Sequence, residues 1–564
     1  MGKKILIIGG VAGGASVAAR ARRLDEFAEI IMFEKGPHVS FSNCSLPFYL
    51  SGMVKESEDL VLMDPETFLS QYNIQARVNH EVTKINRENK RVSVKNLLTG
   101  KEYEEDYDEL VISTGANPII PNIEGAQDSH VFIVRNVVDI EKLGQFLKNP
   151  GIRDVAVIGG GFIGVEVVGN LVKAGYNVTL VEAMDQIMAP FDYDMAQILH
   201  KEMMDNGVNL ILSDGVRRIG DDHIELSSGR RIQVQGVIMC IGVRPETTLA
   251  REAGLEIGET GGILVDHNYR TSDPNIHAVG DAVEVFNRLT HSKSRLALAG
   301  PAQRQARAAA DDIYGICHRN TGVIGSSVVE IFELNAASTG LNEKMAQKEG
   351  YNYDFVYIIP GDKVGLMPNA NPLYFKLIYE VPTGRVLGAQ GIGKGNVDKR
   401  IDVIATLIMM DGTLEDLKEL ELCYAPLHGT AKDVVNHAAL VALNILNGVY
   451  KQVPVTKVRE LVEKNAYIID VRERDEFQKG HLINAKNIPL SELRGRLDEV
   501  PTDQPVYLYC RTGQRSYNAI MALQHRGFDN VVNISGSFLG ICNYEYFNDQ
   551  VTGRDKILTQ YNFD

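Results

Sequence analysis

The residues best suited to chemistry lie in Ser40-Phe41-Ser42-Asn43-Cys44-Ser45-Leu46-Pro47. A thiol is weakly nucleophilic until it ionises. A cysteine opening a helix gains thiolate character from the exposed N–H groups and the dipole. Asn43 and Ser45 are the residue types that cap such an opening. No second cysteine follows within five residues, so no CxxxxC pair forms. Cys44 must therefore take its partner sulfur, or an oxygen, from the substrate. A second reactive position is Cys510, in Cys510-Arg511-Thr512-Gly513-Gln514-Arg515-Ser516 behind the strand-like run 506–509. A cysteine on a strand-to-helix loop, with Arg515 five positions on, is an anion-cradling nucleophile. Four residues separate Cys510 from Arg515, one fewer than a tyrosine-phosphatase loop needs around phosphate. The tighter loop suits a sulfane sulfur.

These cysteines need elements to place them. Residues 3–8 are a β-branched run ending in Gly9-Gly10-Val11-Ala12-Gly13-Gly14, followed by a helical stretch over 15–24. A second strand, 29–33, ends on Glu34. This is the dinucleotide fingerprint, with Val11 at the middle glycine of GxGxxG: glycines let the backbone approach a pyrophosphate, and the acid takes a ribose hydroxyl. The run 155–158 opens a second unit, Gly159-Gly160-Gly161-Phe162-Ile163-Gly164, in which all three glycines are present. Its second strand ends on Glu182, which hydrogen-bonds a free 2′-hydroxyl and repels a 2′-phosphate, so NADH is expected over NADPH. Two such units imply a flavin and a nicotinamide. Further strand ends are Leu110-Val111-Ile112-Ser113-Thr114-Gly115-Ala116 and Ile276-His277-Ala278-Val279-Gly280-Asp281, where Asp281 suits a flavin ribityl hydroxyl. Arg20, Arg22 and Arg23, near Cys44, are candidates for the phosphates of a bulky anionic substrate.

At 564 residues the chain is long enough for three or four domains. A formal net charge of −15 argues against nucleic acid or an anionic membrane as the main partner. Six cysteines with no zinc spacing point to a reducing compartment. The apolar run at 4–10 is too short for a signal core or a membrane span, so a cytoplasmic protein is expected. Gln452-Val453-Pro454 reads as a linker before a self-contained α/β unit.

On these motifs and on Tyr424-Ala425-Pro426-Leu427-His428-Gly429-Thr430-Ala431-Lys432-Asp433, the chain resembles the coenzyme A-disulfide reductases. These are single-cysteine flavin-disulfide reductases, here in the form fused to a rhodanese domain. The resemblance implies an α/β chain of four parts. Residues 1–117 with 246–321 would bind FAD, 118–245 NADH, 322–448 would dimerise, and 455–564 would be rhodanese-like. It implies Cys44 and Cys510 as nucleophiles, with Tyr424 and Arg515 as further catalytic residues. FAD contacts would be Gly9, Gly10, Ala12, Gly13, Gly14, Glu34, Lys35, Val82, Thr114, Gly115, Gly280, Asp281 and Ala299. NADH contacts would be Gly159, Gly161, Phe162, Ile163, Gly164, Glu182 and Gly242. Coenzyme A would meet Ser16, Arg20, Arg23, Ser40, Asn43 and Arg304, with Tyr424 and Lys432 donated across a homodimer. No metal is implied.

The chain departs from that family at Leu366-Met367-Pro368-Asn369, where a tyrosine pair is common, and at Leu427-His428 in place of Pro-Tyr. The tyrosine that would assist Tyr424 with the leaving sulfur is absent, and His428 stands where it would be. Hydrosulfide leaves more readily than an alkyl thiolate, so coenzyme A persulfide or polysulfide is favoured over the disulfide. The expected reaction is persulfide reduction by NADH, with the rhodanese domain transferring sulfane sulfur. The alternatives are an NADH peroxidase or oxidase cycling Cys44 through a sulfenic acid, and a sulfur carrier or sensor without turnover.

Overall fold

In the computed structural model, which describes residues 2–563, the chain divides into two units. The first comprises residues 1–183 and 214–323, the second 184–213 and 324–564. No helix among the described residues is long and apolar enough to cross a membrane.

The first unit is built on two parallel sheets. One runs in the order Ile276–Ala278, Glu109–Ile112, Lys4–Ile8, Glu29–Glu34, Gln75–Val78. Its central strands are nearly continuous apolar runs because both of their faces are covered: Ile5, Leu6 and Ile7 are fully buried. The helices Ala12–Leu24 and Ala299–Ile313 pack on each other through small residues, including Ala18, Ala21, Ala306 and Ala310. The second sheet pairs Asn177–Val181, Asp154–Ile158, Gly236–Met239 and Val131–Ile133 in that order, again all parallel. Each sheet thus ends its central strand in a glycine turn that starts a helix, the geometry expected from the two fingerprints.

The second unit contains an antiparallel five-stranded sheet in the order Ser327–Ile331, Leu334–Gly340, Val386–Gly393, Leu373–Glu380, Tyr353–Ile358. It also contains a parallel sheet in the order Lys451–Val453, Val531–Ile534, Val506–Tyr509, Tyr467–Asp470, Lys486–Asn487. The expected linker is therefore corrected: Gln452 and Val453 form an edge strand of this sheet, and Gln452 also donates to the Phe355 carbonyl at 2.7 Å. The rhodanese-like part is docked rather than tethered. Ser535 donates to the Tyr357 carbonyl at 3.3 Å, and Asn543 to the Tyr374 hydroxyl at 3.1 Å.

Within the expected NADH-binding segment, residues 184–213 group with the second unit. A buried charge cluster holds the start of the helix Tyr193–Asp205 to the antiparallel sheet. Lys376, wholly buried in its strand, lies 2.8 Å from Asp194, 3.2 Å from Asp192 and 2.5 Å from Glu343. Burial alone would lower the lysine's pKa, but the carboxylates of Asp194, Asp192 and Glu343 outweigh it and hold the ammonium charged. Burial raises Glu343 in turn. Replacing Lys376 with Met leaves these buried carboxylates without their cation and should cost roughly 3–5 kcal/mol of stability. Guanidinium unfolding checks this: Lys376→Met should lower the midpoint sharply, while the exposed Lys348→Met should shift it by less than about 0.5 kcal/mol.

Candidate active sites at Cys44 and Cys510

The first glycine turn is held by close approach. A side chain on Gly14 would meet the Gly9 carbonyl at 1.9 Å, and one on Gly9, at φ +98°, would meet the Ser113 carbonyl at 2.1 Å. Glu34 accepts from the Gly10 N–H at 3.0 Å and the Gly36 N–H at 2.8 Å, which orients its carboxylate at the strand end. The second turn repeats the device. Gly164 would meet the Gly159 carbonyl at 1.9 Å, and Glu182 accepts from the Gly160 N–H at 2.7 Å. A side chain on Gly161 would meet no protein atom, so the protein leaves that position open to a ligand. Both turns fit a dinucleotide pyrophosphate above a helix N-terminus.

Asp281 lies where Gly280, at φ +81°, ends its strand. Burial pushes the pKa of its carboxyl up. Gln305, which the sequence reading passed over, accepts from the Gly280 N–H at 2.6 Å and fixes this turn. Thr114 donates to the Glu246 carbonyl at 2.6 Å, and Gly115 accepts from the Glu246 N–H at 2.9 Å. Lys35, Ala299 and Gly242 are exposed, and Val82 is buried in the strand His80–Asn86. Phe162 is half-buried and Ile163 exposed at the start of the second turn's helix.

The Cys44 segment is tied to the first turn. Ser40, at φ +52°, donates its N–H to the Gly10 carbonyl at 2.7 Å, and residues 40–42 zip onto 60–62 through Ser42 and Leu62. Helix capping does not operate as expected. Asn43–Ser45 is a single tight turn, the helix Leu46–Leu50 has five residues, and neither has a side-chain cap. The Ser42 and Ser45 hydroxyls bond each other instead, at 2.7 Å. So short a helix contributes little dipole, and the thiol is not activated by it. Although Cys44 is exposed as a residue, the protein around its sulfur pushes the thiol pKa up, and the carboxylates of Glu166 and Asp281 add to the rise. Glu166 had no signal in the sequence, because only the packing of the helix Phe162–Lys173 on Leu46–Leu50 brings it near.

The arginines divide by role. Arg22 is buried and donates to the carbonyls of Tyr72, Asp25, Glu26, Ala28 and Asn73, so its expected phosphate role is corrected to a structural one. Arg20 is not a free cation either: it pairs with Asp311 at 2.6 Å, because the helices Ala12–Leu24 and Ala299–Ile313 lie together. Ser16 donates to Gln303 at 2.9 Å across the same contact. Arg23, Asn43 and Arg304 are exposed. Tyr424 and Lys432 lie in the second unit, exposed on the loop before the helix Val434–Leu446, as is His428.

Cys510 follows the strand Val506–Tyr509 and is 1% exposed. Gly513, at φ +114°, turns the chain into the helix Gln514–Gln524 and donates its N–H to the Cys510 sulfur at 3.1 Å. The Cys510 N–H donates to Ser537 at 3.3 Å. Arg515, expected to cradle an anion, is bound bidentately by Glu476 at 2.5 and 2.7 Å. That carboxylate already takes the fork an oxyanion would need. Arg472 is likewise paired, with Asp470 at 2.6 Å.

Residues 3–306 match the family described as pyridine nucleotide-disulphide oxidoreductase, 326–434 its dimerisation domain and 454–544 the rhodanese-like domain. The chain belongs to the pyridine nucleotide-disulphide oxidoreductases: it is a flavin-dependent oxidoreductase with an attached rhodanese-like domain. It is similar to the coenzyme A disulfide reductase of Staphylococcus epidermidis, 32% identical over 434 residues that span 77% of this chain and 98% of that protein. Two solved structures extend the likeness. Reduced Bacillus anthracis CoADR-RHD is 43% identical, with TM-score 0.93 over 96% of this chain and 98% of that one. The NAD-dependent persulfide reductase from A. fulgidus is 35% identical, with TM-score 0.91 over 95% and 99%.

Two outcomes are expected at these sites. If Glu182 reads the ribose, kcat/KM for NADH should exceed that for NADPH by about tenfold or more, a difference of about 1.4 kcal/mol. Equal values for the two nucleotides would remove that role. At Cys44, loss of the neighbouring negative charge favours the thiolate. Glu166→Gln should therefore move the pH midpoint of iodoacetamide labelling downward and speed labelling at pH 7.5 by about 2–5-fold. Mass spectrometry of the Cys44 peptide over a pH series reads both.

Proposed function

We propose that the protein uses NADH to reduce coenzyme A persulfide or polysulfide, and coenzyme A disulfide less readily, as a homodimer. One observation carries the reading: Cys44 is a lone thiol held to the first glycine turn through Ser40 and Gly10, so the second sulfur must come from the substrate. The Staphylococcus and A. fulgidus relatives, acting on coenzyme A disulfide and on persulfide, support that substrate class. The matched dimerisation domain supports the homodimer, in which Tyr424 and Lys432 would serve the partner's site.

Gly9–Gly14 (residues 9–14), Glu34 and Asp281 would hold FAD, and Gly159, Gly161, Gly164 and Glu182 would hold NADH. Bound flavin would supply the two-electron relay between NADH and sulfur. The Cys44 thiolate attacks the carbon-bound sulfur of the persulfide. The substrate S–S bond breaks, hydrosulfide leaves, and Cys44 is joined to coenzyme A as a mixed disulfide. Two electrons drawn from NADH cleave that disulfide, restoring the Cys44 thiolate and releasing the coenzyme A thiol. Overall, RSSH + NADH + H⁺ gives RSH + H₂S + NAD⁺. Because the local carboxylates favour the neutral thiol, exposed cations such as Arg23 and Arg304 would bring the anionic substrate to a site that is otherwise acidic. Cys510 would accept sulfane sulfur from a donor and pass it to the thiol carrier.

The two cysteines should separate by assay. Cys44→Ser should reduce NADH consumption with a preformed coenzyme A persulfide to background, a loss of at least about 10³-fold. Flavin bleaching by NADH should survive. Cys510→Ser should retain that activity and lose only the reaction in which the persulfide is made from thiosulfate and coenzyme A. Equal loss in both mutants with the preformed substrate would sink the division. NADH consumption that depends on peroxide or oxygen but not persulfide would favour an oxidase.

A further inference from the structure

The Cys510 loop brings together a thiol, the Arg515 guanidinium and the Glu476 carboxylate. Cys510 is 1% exposed and takes the Gly513 N–H on its sulfur at 3.1 Å. Arg515 lies in the first turn of the helix Gln514–Gln524, and the Cys510 thiolate favours its charge. Glu476, on the helix Arg474–Gln478, holds both terminal nitrogens of Arg515, at 2.5 and 2.7 Å. The Arg515 and Glu476 side chains are 32% and 29% exposed, so this pair meets solvent where the thiol does not. The hydrogen bonds from Arg515 hold the Glu476 carboxyl below the ordinary glutamate range, so it is ionised at neutral pH. The Glu473 N–H, at 3.2 Å, fixes the same carboxylate to its own helix. The other arginines of the region have partners of their own. Arg511 donates to the Asn562 carbonyl at 3.0 Å, and Arg472 to Asp470 and the Gly480 carbonyl, both at 2.6 Å.

We propose that Glu476 is a specificity-determining residue, which turns the Cys510 site against oxyanion donors such as thiosulfate and toward organic persulfides. The inference rests on Cys510 being a sulfur-transfer nucleophile and names the class of donor it takes. An oxyanion held by arginine uses the same two parallel N–H bonds that Glu476 already occupies. Thiosulfate, a dianion, must displace that carboxylate or sit beside its negative charge. An organic persulfide carries at most one negative charge and no oxyanion, so it has no use for the fork. Selection of this kind works by repelling the unwanted donor. In the favoured step the Cys510 thiolate attacks the outer sulfur of a persulfide, RSSH. The S–S bond breaks, RS⁻ leaves with the bonding pair, and Cys510 keeps the outer sulfur and its proton as a persulfide. Thiosulfate reacts by the same displacement, with sulfite as the leaving group, and is slowed rather than abolished.

The test follows the persulfide formed on Cys510 by peptide mass spectrometry in single turnovers of the full chain. Thiosulfate and hydroxyethyl persulfide are supplied at equal, subsaturating concentration, and NADH-driven reduction of a preformed persulfide checks that the rest of the enzyme is intact. Wild type should load from the persulfide at least about tenfold faster, and the gap should narrow as ionic strength rises. Glu476→Gln keeps the size of the side chain and an acceptor for the Glu473 N–H but removes the charge. It should quicken loading from thiosulfate roughly tenfold and change loading from the persulfide less than about threefold. Adding Arg515→Gln should abolish that gain, measured relative to persulfide loading, because the released fork is what receives the oxyanion. The wild-type preference needs no variant, and a wild type that loads faster from thiosulfate overturns the proposal. So does a Glu476→Gln enzyme whose thiosulfate loading is unchanged or slower, or a gain that survives Arg515→Gln. If Cys510 loads from neither donor in any of these proteins, the reading of Cys510 as the nucleophile falls instead.

Discussion

The first unit depends on one constraint met twice, the approach of a helix to the end of the strand before it. At both turns the α-carbon of the last glycine lies so close to the carbonyl of the first that a methyl group would sit 1.9 Å from it. Side chains would push the helix N-terminus off the strand and close the space a pyrophosphate needs. A carboxylate from the neighbouring strand then caps each turn, Glu34 on Gly10 and Glu182 on Gly160. These bonds orient each carboxylate at the end of its strand. Through the Ser40 bond to Gly10, the same turn also sets where Cys44 lies.

The two candidate nucleophiles sit in different surroundings. Around Cys44 the chain places Glu166 and Asp281, and its own field favours the protonated thiol. Around Cys510 it places Arg515, itself paired with Glu476, and an N–H from Gly513 on the sulfur. The raised pKa at Cys44 leaves less thiolate open to stray oxidation.

In the second unit, burial of charge has a different purpose. Lys376 has no exposure and is surrounded by Asp192, Asp194 and Glu343 from two other segments, which ties the helix Tyr193–Asp205 to the sheet. The same helix packs against Ser537–Thr552, so the rhodanese-like part is joined to the antiparallel sheet through side chains as well as through the strand Lys451–Val453. That docking replaces the free linker expected from Gln452-Val453-Pro454.

The sequence by itself determined what is written in neighbouring residues. The glycine turns, the acids that close their second strands, the lone Cys44 and the Cys510 loop are requirements of local backbone and local chemistry, legible at spacings of a few to about twenty residues. Those features carried the class of fold and the cofactor pair, and they carry the proposal of the two nucleophiles. Tertiary structure decided the partners. Arg20 and Asp311 are 291 residues apart, Arg515 and Glu476 39, Arg511 and Asn562 51, and no pattern along the chain pairs them. Long-range Coulomb and hydrogen-bond partners exist only after packing, so the same arginine-rich stretch yielded a buried structural Arg22, a paired Arg20 and an exposed Arg23. For the same reason the expected activation of Cys44 by a helix gave way to a five-residue helix and two carboxylates, one of them from a separate βα unit.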